Sequence, residues 1–194
     1  MASLLEEVLA LRARYDDEPG HSDHVTELAL EIFDGLKAWH RLETRARELL
    51  RAAALLHDIG WSITPDEKGH HKESARLIRE QTWKNLSKEE VAVVALIAHY
   101  HRKATPKPEH EDFQALPPLA KRLVMILGGI LRIADALDRT HTGQIERVEM
   151  KATDEAFTVR VKSRGAWDPE RVMFELKRDM LQLAAERPVT CEPL

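Results

Sequence analysis

The sequence predicts a mainly α protein, with a helical bundle over residues 1–142 and a small subdomain, a β-hairpin plus helix, over residues 143–194. Two patterns of apolar spacing predict this fold. Through the bundle, apolar residues recur at intervals of three and four, which is the spacing of one helix face. In the second range the interval becomes two, as in Phe157, Val159 and Val161, which is the spacing of a strand. We expect the subdomain to pack on the bundle.

The composition excludes several classes of protein. Lys and Arg number 29 against 33 Asp and Glu, a net charge of -4, so no overall basic field favours duplex nucleic acid or an anionic membrane. The single cysteine, Cys191, excludes an internal disulfide and is consistent with a reducing compartment. The first residues are acidic where a secretory signal is basic, and the longest apolar run, 123–131, is too short to span a bilayer. We therefore expect a cytoplasmic protein.

The first third of the chain predicts three helices. Residues 3–14 carry a broad apolar face, and the Asp, Pro and Gly of residues 16–20 end that helix. The second helix begins near His21 and has a clear apolar stripe. The third covers about 43–59 and is almost entirely apolar in its second half. Such a helix is expected to be buried.

The middle of the chain predicts three further helices and two loops. A loop at 61–68 precedes a helix that opens at Gly69 and runs to about residue 81. Ser87 and Glu90 form the pattern of a capping box before the next apolar run, which ends near His101. The basic segment 102–108 contains two prolines and cannot be helical throughout. A long helix is then expected over about 117–139.

The last fifty residues predict the small subdomain. Val148 and Met150 repeat weakly the alternation seen in 157–161, so the two segments form the expected hairpin. Asp168-Pro169-Glu170 supplies a cap, a proline and an acid for the start of a closing helix over 170–185. Residues 189–191 are then expected to form an edge strand.

His57 and Asp58 lie at the end of the apolar third helix, before Gly60, which we expect to stop that helix. A carboxylate and an imidazole on a buried helix need a partner, because an unpaired buried charge costs several kcal/mol. A metal ion is one such partner. The alternative is an ion pair at the helix end with a buried imidazole.

Other polar residues interrupt apolar helix faces elsewhere. His21 and His24 both begin on the inward face of the second helix, and Asp135 lies in the apolar half of the long helix. Imidazoles and carboxylates together suit a borderline divalent ion such as Mn²⁺, Fe²⁺, Co²⁺, Ni²⁺ or Zn²⁺, whereas Ca²⁺ prefers oxygen ligands throughout. Whether His21 or His24 is the ligand stays open at this point.

Five ordered strings resemble the HD superfamily of metal-dependent phosphohydrolases, and more narrowly the C-terminal HD domain of the exopolyphosphatase and guanosine pentaphosphate phosphatase family. They are His21-Ser22-Asp23-His24-Val25, Leu56-His57-Asp58-Ile59-Gly60, His70-His71-Lys72-Glu73-Ser74, Tyr100-His101-Arg102-Lys103 and Leu131-Arg132-Ile133-Ala134-Asp135-Ala136-Leu137-Asp138-Arg139. The similarity extends from about residue 15 to the end of the chain. A lone His-Asp pair would be a weak signal, whereas five ordered strings are a strong one.

The resemblance implies a ligand set for a divalent transition metal. The core ligands that it implies are His21, His57, Asp58 and Asp135. His24 then takes a position beside the ligands.

The resemblance also implies positions for a second ion. Where superfamily members hold two ions, further histidines come from positions similar to His70 and His101, so one or two ions are expected. The family often has histidine where this chain has Glu73, which leaves the second set of ligands open.

The ligands imply hydrolysis of a phosphate ester or anhydride by metal-activated water, whose pKa falls toward about 7. His70 or His101, where not ligating, would protonate the leaving oxygen, and Arg102 and Lys103 would hold phosphate charge. Further cations close in sequence to the ligands are Lys72, Lys107, Arg132 and Arg139.

The expected function is that of a metal-dependent phosphohydrolase. The substrate is expected to be a small phosphorylated molecule: a nucleotide, a guanosine alarmone or another polyanionic phosphate. Full-length members of the family carry an actin-like region that this sequence lacks, so the substrate is not simply inherited. The alternative is a non-catalytic module that binds polyphosphate or nucleotide, or regulates a separate phosphatase. The sequence leaves open whether the protein forms a homodimer.

Overall fold

A computed structural model describes residues 2–64, 69–102 and 104–194. Its helices are α1 (Leu4–Arg12), α2 (Pro19–Gly35), α3 (Lys37–His40), α4 (Thr44–Leu56), α5 (His70–Glu80), α6 (Lys88–Tyr100), α7 (Glu111–Gln114), α8 (Pro118–Ala136), α9 (Asp168–Lys177) and α10 (Asp179–Ala185), with a 3₁₀ turn at Trp61–Ile63. The strands are β1 (Ile145–Ala152), β2 (Phe157–Ser163) and β3 (Val189–Pro193). The predicted mainly helical fold with a small β-hairpin and helix is confirmed.

Local sequence explains where α6 begins. The Ser87 hydroxyl accepts a hydrogen bond from the Glu90 backbone N–H at 3.2 Å, and the Glu90 carboxylate accepts one from the Ser87 N–H at 2.8 Å. This reciprocal pair is the predicted capping box, and it satisfies two N–H groups that a helix start leaves open. Ser3 and Glu6 form the same motif at the start of α1.

The long helix α8 is the centre of the core. It packs against α2, α4, α6, α9 and α10, and Leu127, Ile130 and Ile133 are fully buried along it. Gly129 permits the closest of these approaches, because a Cβ there would lie 2.7 Å from the backbone nitrogen of Leu181 in α10. The C-terminal helices therefore sit directly on the helix that carries Asp135.

The sheet has the order β1-β2-β3. β1 and β2 are antiparallel, with Val148 opposite Val161, and β3 is parallel to β2 at the sheet edge. The Glu31 carboxylate of α2 accepts a hydrogen bond from the Val148 N–H at 2.7 Å, which ties the sheet to the bundle. The predicted edge strand is confirmed, whereas a division of the chain after residue 142 stays a prediction.

The structure corrects the predicted closing helix, which is two helices separated at Arg178. In one continuous helix the Lys177 carbonyl would accept the N–H four residues later. Here that carbonyl accepts a hydrogen bond from the Arg132 guanidinium at 3.3 Å, and the same guanidinium donates to the Asp179 carboxylate. Burial of Arg132 therefore breaks the helix. The short helices α3 and α7 were not predicted.

Within the described residues, the helices are all too short or too polar to cross a bilayer.

Candidate metal centre

Two helices end at the centre of the candidate site in the same way. α4 ends at Leu56 and α6 at Tyr100, so the next residues, His57 and His101, are their C-caps. Each ring donates its Nδ1–H to the carbonyl three residues earlier, His57 to Ala54 at 2.7 Å and His101 to Ala98 at 2.5 Å. These bonds fix the two rings and leave both Nε2 atoms facing the site. His57 was predicted to lie on the last turn of the helix, whereas it is the C-cap, the residue just past the helix end.

Gly60 has a different role from the predicted helix stop. Its φ of -75° is right-handed, so it is not a left-handed cap. A Cβ at Gly60 would lie 2.2 Å from the His70 carbonyl oxygen, so glycine lets the start of α5 approach this loop. The Gly60 N–H also donates to the Ser74 hydroxyl at 2.9 Å. Gly60 thereby brings His70 to the site.

The other three predicted core ligands, His21, His57 and Asp135, meet on one side of Asp58. His21 comes from the first turn of α2 and Asp135 from the last turn of α8. The His21 Nε2 lies 3.8 Å from the Asp58 Oδ2 and 3.6 Å from the Asp135 Oδ1. The His57 Nε2 lies 3.4 Å and 3.8 Å from the same two oxygens. The His21 ring, rather than that of His24, lies against both carboxylates.

The other two predicted histidines lie on the opposite oxygen of Asp58. The Nε2 atoms of His70 and His101 are 3.4 Å and 3.3 Å from the Asp58 Oδ1. Asp58 therefore stands between two groups of imidazoles. We call the whole set the six-residue cluster, which consists of His21, His57, Asp58, His70, His101 and Asp135.

The cluster fits a divalent metal on two grounds. Atoms bound at about 2.1 Å to one ion lie roughly 3.0–3.4 Å apart, close to the separations here. Within the described residues, the His21 Nε2, the His57 Nε2 and the Asp58 Oδ1 are buried without a hydrogen-bond partner. Buried polar atoms are almost always paired, so unpaired atoms on both sides of Asp58 are consistent with a cation as their partner. The predicted ligand set is chemically suited to a divalent transition metal.

The electrostatics of the cluster favour positive charge. Burial alone would lower the pKa of His21, but the nearby carboxylates of Asp135 and Asp138 raise it to about 10. Burial also opposes a charged His57, yet the carboxylates of Asp58 and Asp135 hold its pKa above the ordinary value. Burial would raise the pKa of both carboxyl groups, and the neighbouring imidazoles lower both instead. The site therefore attracts cations.

His70 is the cluster histidine with a depressed pKa. Burial lowers its pKa to about 4, and the nearby Arg102 guanidinium adds to the effect. A neutral imidazole offers a lone pair to a metal but is a weak proton donor at pH 7.

Sequence reasoning missed Asp138. It is fully buried, and its Oδ2 lies 2.8 Å from the His21 Nδ1. A carboxylate on the far nitrogen orients a ligating imidazole and increases its basicity. The spacing of Asp135 and Asp138, three residues apart, was the available signal, because such residues share a helix face. The His141 ring also stacks on His21 at 3.8 Å.

Arg102 and Trp61 border the cluster on the His70 side. The Arg102 Nη1 lies 3.0 Å from the His70 Nδ1, and its guanidinium lies over the Trp61 ring. The Trp61 ring in turn stacks on His70 at 4.2 Å. Arg102 is thus placed as predicted, beside the ligands and half-buried. The predicted Lys103 lies outside the described residues.

Several other predicted positions lie away from the cluster. Arg132 was expected beside phosphate, but it is 1% exposed and donates to the Tyr100 carbonyl and the Asp179 carboxylate. That expectation is wrong, because the guanidinium is committed to the end of α6. Glu73 accepts a hydrogen bond from Arg76 at 2.8 Å. Lys72, Lys107 and Arg139 are exposed.

A cavity of about 570 Å³ opens over the cluster. His21, Asp58, Trp61 and His141 line it, and so do the acidic residues Asp16, Asp17 and Glu18. The cavity is large enough for a nucleotide-sized molecule.

The family described as Ppx/GppA phosphatase, domain III, matches residues 6–183. The chain belongs to this family. The match includes every member of the six-residue cluster, so the cluster is a feature of this Ppx/GppA domain III and not of an added segment.

Two relatives of this Ppx/GppA domain III are named for an enzymatic activity. A guanosine-5'-triphosphate,3'-diphosphate pyrophosphatase of Aeromonas hydrophila is 28% identical over 179 residues, covering 85% of this chain and 34% of that protein. A protein of the same name from Vibrio cholerae is 28% identical over 184 residues, covering 93% of this chain and 34% of that protein. The chain thus spans about a third of the length of these relatives.

Proposed function

We propose that the six-residue cluster binds divalent transition metal and that the protein is a metal-dependent phosphohydrolase of the HD type. The observation that carries the proposal is that buried ligand atoms without a hydrogen-bond partner, the Nε2 atoms of His21 and His57 and the Oδ1 of Asp58, lie within the six-residue cluster. The order of the ligands along the chain, His, His-Asp and Asp, supports the HD assignment. The relatives named as pyrophosphatases support a hydrolase.

The geometry supports two ions rather than one. His21, His57 and Asp135 form one group whose ligand atoms all lie within 4.8 Å of one another, and His57, Asp58 and His101 form another. The His57 Nε2 can bind one ion only, so a second ion would be held by Asp58, His70 and His101, whose ring nitrogens face the other oxygen of Asp58. Mn²⁺, Fe²⁺, Co²⁺, Ni²⁺ and Zn²⁺ all accept this donor set.

A divalent ion held in such a site acidifies a bound water and withdraws charge from a phosphoryl oxygen. The residues of this chain then have separate tasks. The backbone carbonyls of Ala54 and Ala98 and the carboxylate of Asp138 orient the imidazoles. Arg102 stands beside His70, where its guanidinium offers two donors to a phosphate.

We propose that the substrate is a small phosphorylated molecule, either a nucleotide such as a guanosine alarmone or another polyanionic phosphate. The names of the two pyrophosphatase relatives support a guanosine substrate. The 570 Å³ cavity supports a small molecule, and Trp61, 37% exposed, offers a flat ring at its wall. A planar base and a phosphate would then contact Trp61 and Arg102 respectively.

A phosphate-release assay tests this function. Wild-type protein is supplied with Mn²⁺, Fe²⁺, Co²⁺, Ni²⁺ or Zn²⁺ and offered a guanosine alarmone, GTP, a nucleoside monophosphate and inorganic polyphosphate. We expect turnover with at least one pair of ion and substrate and its loss in Asp58→Ala. Asp168→Asn, an exposed carboxylate at the start of α9, is the control and should be unchanged. Binding without turnover under every condition would overturn the proposal that the protein is an enzyme.

The acidic residues that line the cavity favour a second candidate, a metal-containing regulatory module that pairs with a separate phosphatase without catalysis. Asp16, Asp17 and Glu18 oppose the entry of a free polyanion. In the same assay, this candidate predicts no phosphate release at any metal.

A further inference from the structure

Two buried cations lie at the end of α6, where His101 and Arg102 follow the helix. Arg132 of α8 is 1% exposed, and Lys177 at the end of α9 is 8% exposed. The Arg132 guanidinium donates to the Tyr100 carbonyl at 2.9 Å, and the Lys177 ammonium donates to the His101 carbonyl at 3.0 Å. Both side chains therefore contact the backbone on either side of a proposed metal ligand.

These two bonds fix the peptide groups that flank His101. A peptide group is planar, so a bond to its carbonyl oxygen orients the Cα atoms at both of its ends. The Tyr100 carbonyl belongs to the peptide group before His101, and the His101 carbonyl belongs to the one that leads into Arg102. The ring is fixed separately, by its bond to the Ala98 carbonyl. His101 is thus held at its backbone and at its ring.

The end of a helix favours cations but does not require that they be buried. The last carbonyls of a helix have no partner within it and carry partial negative charge, and water satisfies them where they are exposed. Burial of an ammonium is costly, and within the described residues no carboxylate forms an ion pair with Lys177. Arg132 also donates to the Lys177 carbonyl, at the break between α9 and α10. The end of α6 and this break are therefore one connected unit.

We propose that Lys177 and Arg132 are positioning residues for the second ion, because they hold His101 and Arg102 at the end of α6. This inference rests on the proposed function, in which His101 is a ligand of that ion. The His101 Nε2 lies 3.3 Å from the Asp58 Oδ1, and ligand distances must be kept to within about 0.2 Å. A shift of the His101 backbone would displace its ring and Arg102 together.

Charge and position predict opposite effects for the loss of Lys177. Its ammonium acts electrostatically on Asp135 in the six-residue cluster. Repulsion between charges alone would therefore make a divalent ion bind more tightly once the ammonium is removed. Loss of the bond to the His101 carbonyl instead lets the end of α6 move, which weakens the second ion. Weaker binding of that ion thus reports position rather than charge.

Titration of the metal-free full chain with Co²⁺, followed by visible absorption, tests the proposal. Lys177→Met keeps the length of the side chain and removes its donor and its charge. We expect the second ion to bind about 10–100-fold more weakly, the usual effect of losing an outer partner of a ligand. The first ion should bind at least as tightly as in wild type. His70→Gln removes a ligand of the second ion alone and so identifies its binding step.

Two further variants separate positioning from a general loss of stability. Phe174 is fully buried on α9, three residues before Lys177, so Phe174→Leu loosens the same helix and should bind both ions as wild type does. Asp179→Asn is a milder test, in which the side-chain oxygen can still accept from the Met180 N–H while the charge that anchors Arg132 is removed. It should weaken the second ion in the same direction as Lys177→Met.

Amide hydrogen exchange in EDTA measures the positioning without metal. Lys177→Met should exchange faster than wild type over residues 97–102, at the end of α6, and equally over residues 50–57, at the end of α4. Equal exchange at both ends would overturn the proposal.

The metal titration distinguishes two kinds of failure. Wild type that binds no second ion would overturn the two-ion form of the proposed function, and this proposal with it. Wild type that binds two ions, beside a Lys177→Met variant that weakens the second no more than Phe174→Leu does, would overturn this proposal alone.

Discussion

Two buried histidines near opposite ends of α2 have opposite environments. His40 lies just beyond the C-terminal end, where its Nε2 donates to the Phe33 carbonyl at 2.9 Å and its Nδ1 accepts from the Leu42 N–H at 2.9 Å. His21 lies in the first turn, where its Nδ1 meets Asp138 and its Nε2 faces two carboxylates without a hydrogen bond. Both are buried, yet the ring of His40 alone is fully satisfied by the protein.

The pKa values of these residues shift in opposite directions. Burial lowers the pKa of His40, and no carboxylate bonds to it to reverse the effect. The carboxylates around His21 overcome burial and raise its pKa to about 10. Burial alone therefore does not distinguish a structural histidine from a ligand. The distinction is an open ring nitrogen that faces other donors.

His57→Gln is expected to have the largest effect, because His57 belongs to both groups of ligands. Bound metal should fall to near zero and phosphate release should fall on the order of a hundredfold or more. Inductively coupled plasma mass spectrometry measures the metal. Retention of the wild-type metal content in folded His57→Gln would contradict the assignment of the cluster.

Asp138→Asn should have an intermediate effect. The amide keeps the size of the side chain but removes the charge that orients His21. Loss of such an outer partner weakens metal affinity about 10–100-fold. A competition titration with a chromophoric chelator measures it. Glu170→Gln is a matched control, since this buried carboxylate accepts from Thr140 and contacts no ligand; equal losses in both variants would indicate a general structural effect.

His40→Gln should change stability and leave the metal unchanged. The variant disturbs two buried hydrogen bonds and the contact with the Phe33 ring at 4.3 Å. We expect the free energy of unfolding in urea to fall by about 1–3 kcal/mol. A fall in metal content at constant folded fraction would show that the two histidines are not as distinct as proposed.

The pH dependence of stability should also separate the two residues. In EDTA, the raised pKa of His21 gives stability that is present below about pH 6.5 and lost as pH rises toward 10. The lowered pKa of His40 gives stability that is present above its unfolded value and lost as pH falls below it.

A His21→Gln variant isolates the first of these effects. Between pH 7 and 10, wild type should lose up to about 1.4 kcal/mol per pH unit relative to this variant. His40→Gln should lose as much stability as wild type between pH 7 and 10. Urea unfolding measures this stability at each pH. An equal loss in wild type and His21→Gln between pH 7 and 10 would refute the raised pKa of His21.

Much of this site could be predicted because its residues conflict with their surroundings. His57, Asp58 and Asp135 are polar residues in apolar helical runs, and the sequence shows that conflict directly. The contacts of Asp138 and Arg132 were harder to predict, because a polar residue near a helix end has several possible partners and the tertiary structure decides among them. Asp138 contacts His21, whereas Arg132 donates to backbone carbonyls at the ends of α6 and α9.

The fold shows the same limit. The change in apolar spacing predicted the helices and the hairpin, since those patterns are local. Local patterns did not predict the break at Arg178 or the parallel pairing of β3, because both depend on residues distant in sequence. Gly60 is a further case: its sequence position indicates a cap, whereas its role is the close approach of α5.

The most direct test of the central claim is the metal content of wild-type protein purified without chelator and without a metal-charged resin. Mass spectrometry of the purified protein should find about two equivalents of a transition metal, consistent with the two oxygens of Asp58 facing different histidines. Metal-free protein that also fails to take up added Mn²⁺, Fe²⁺ or Ni²⁺ would contradict the account and make the six-residue cluster a structural charge network.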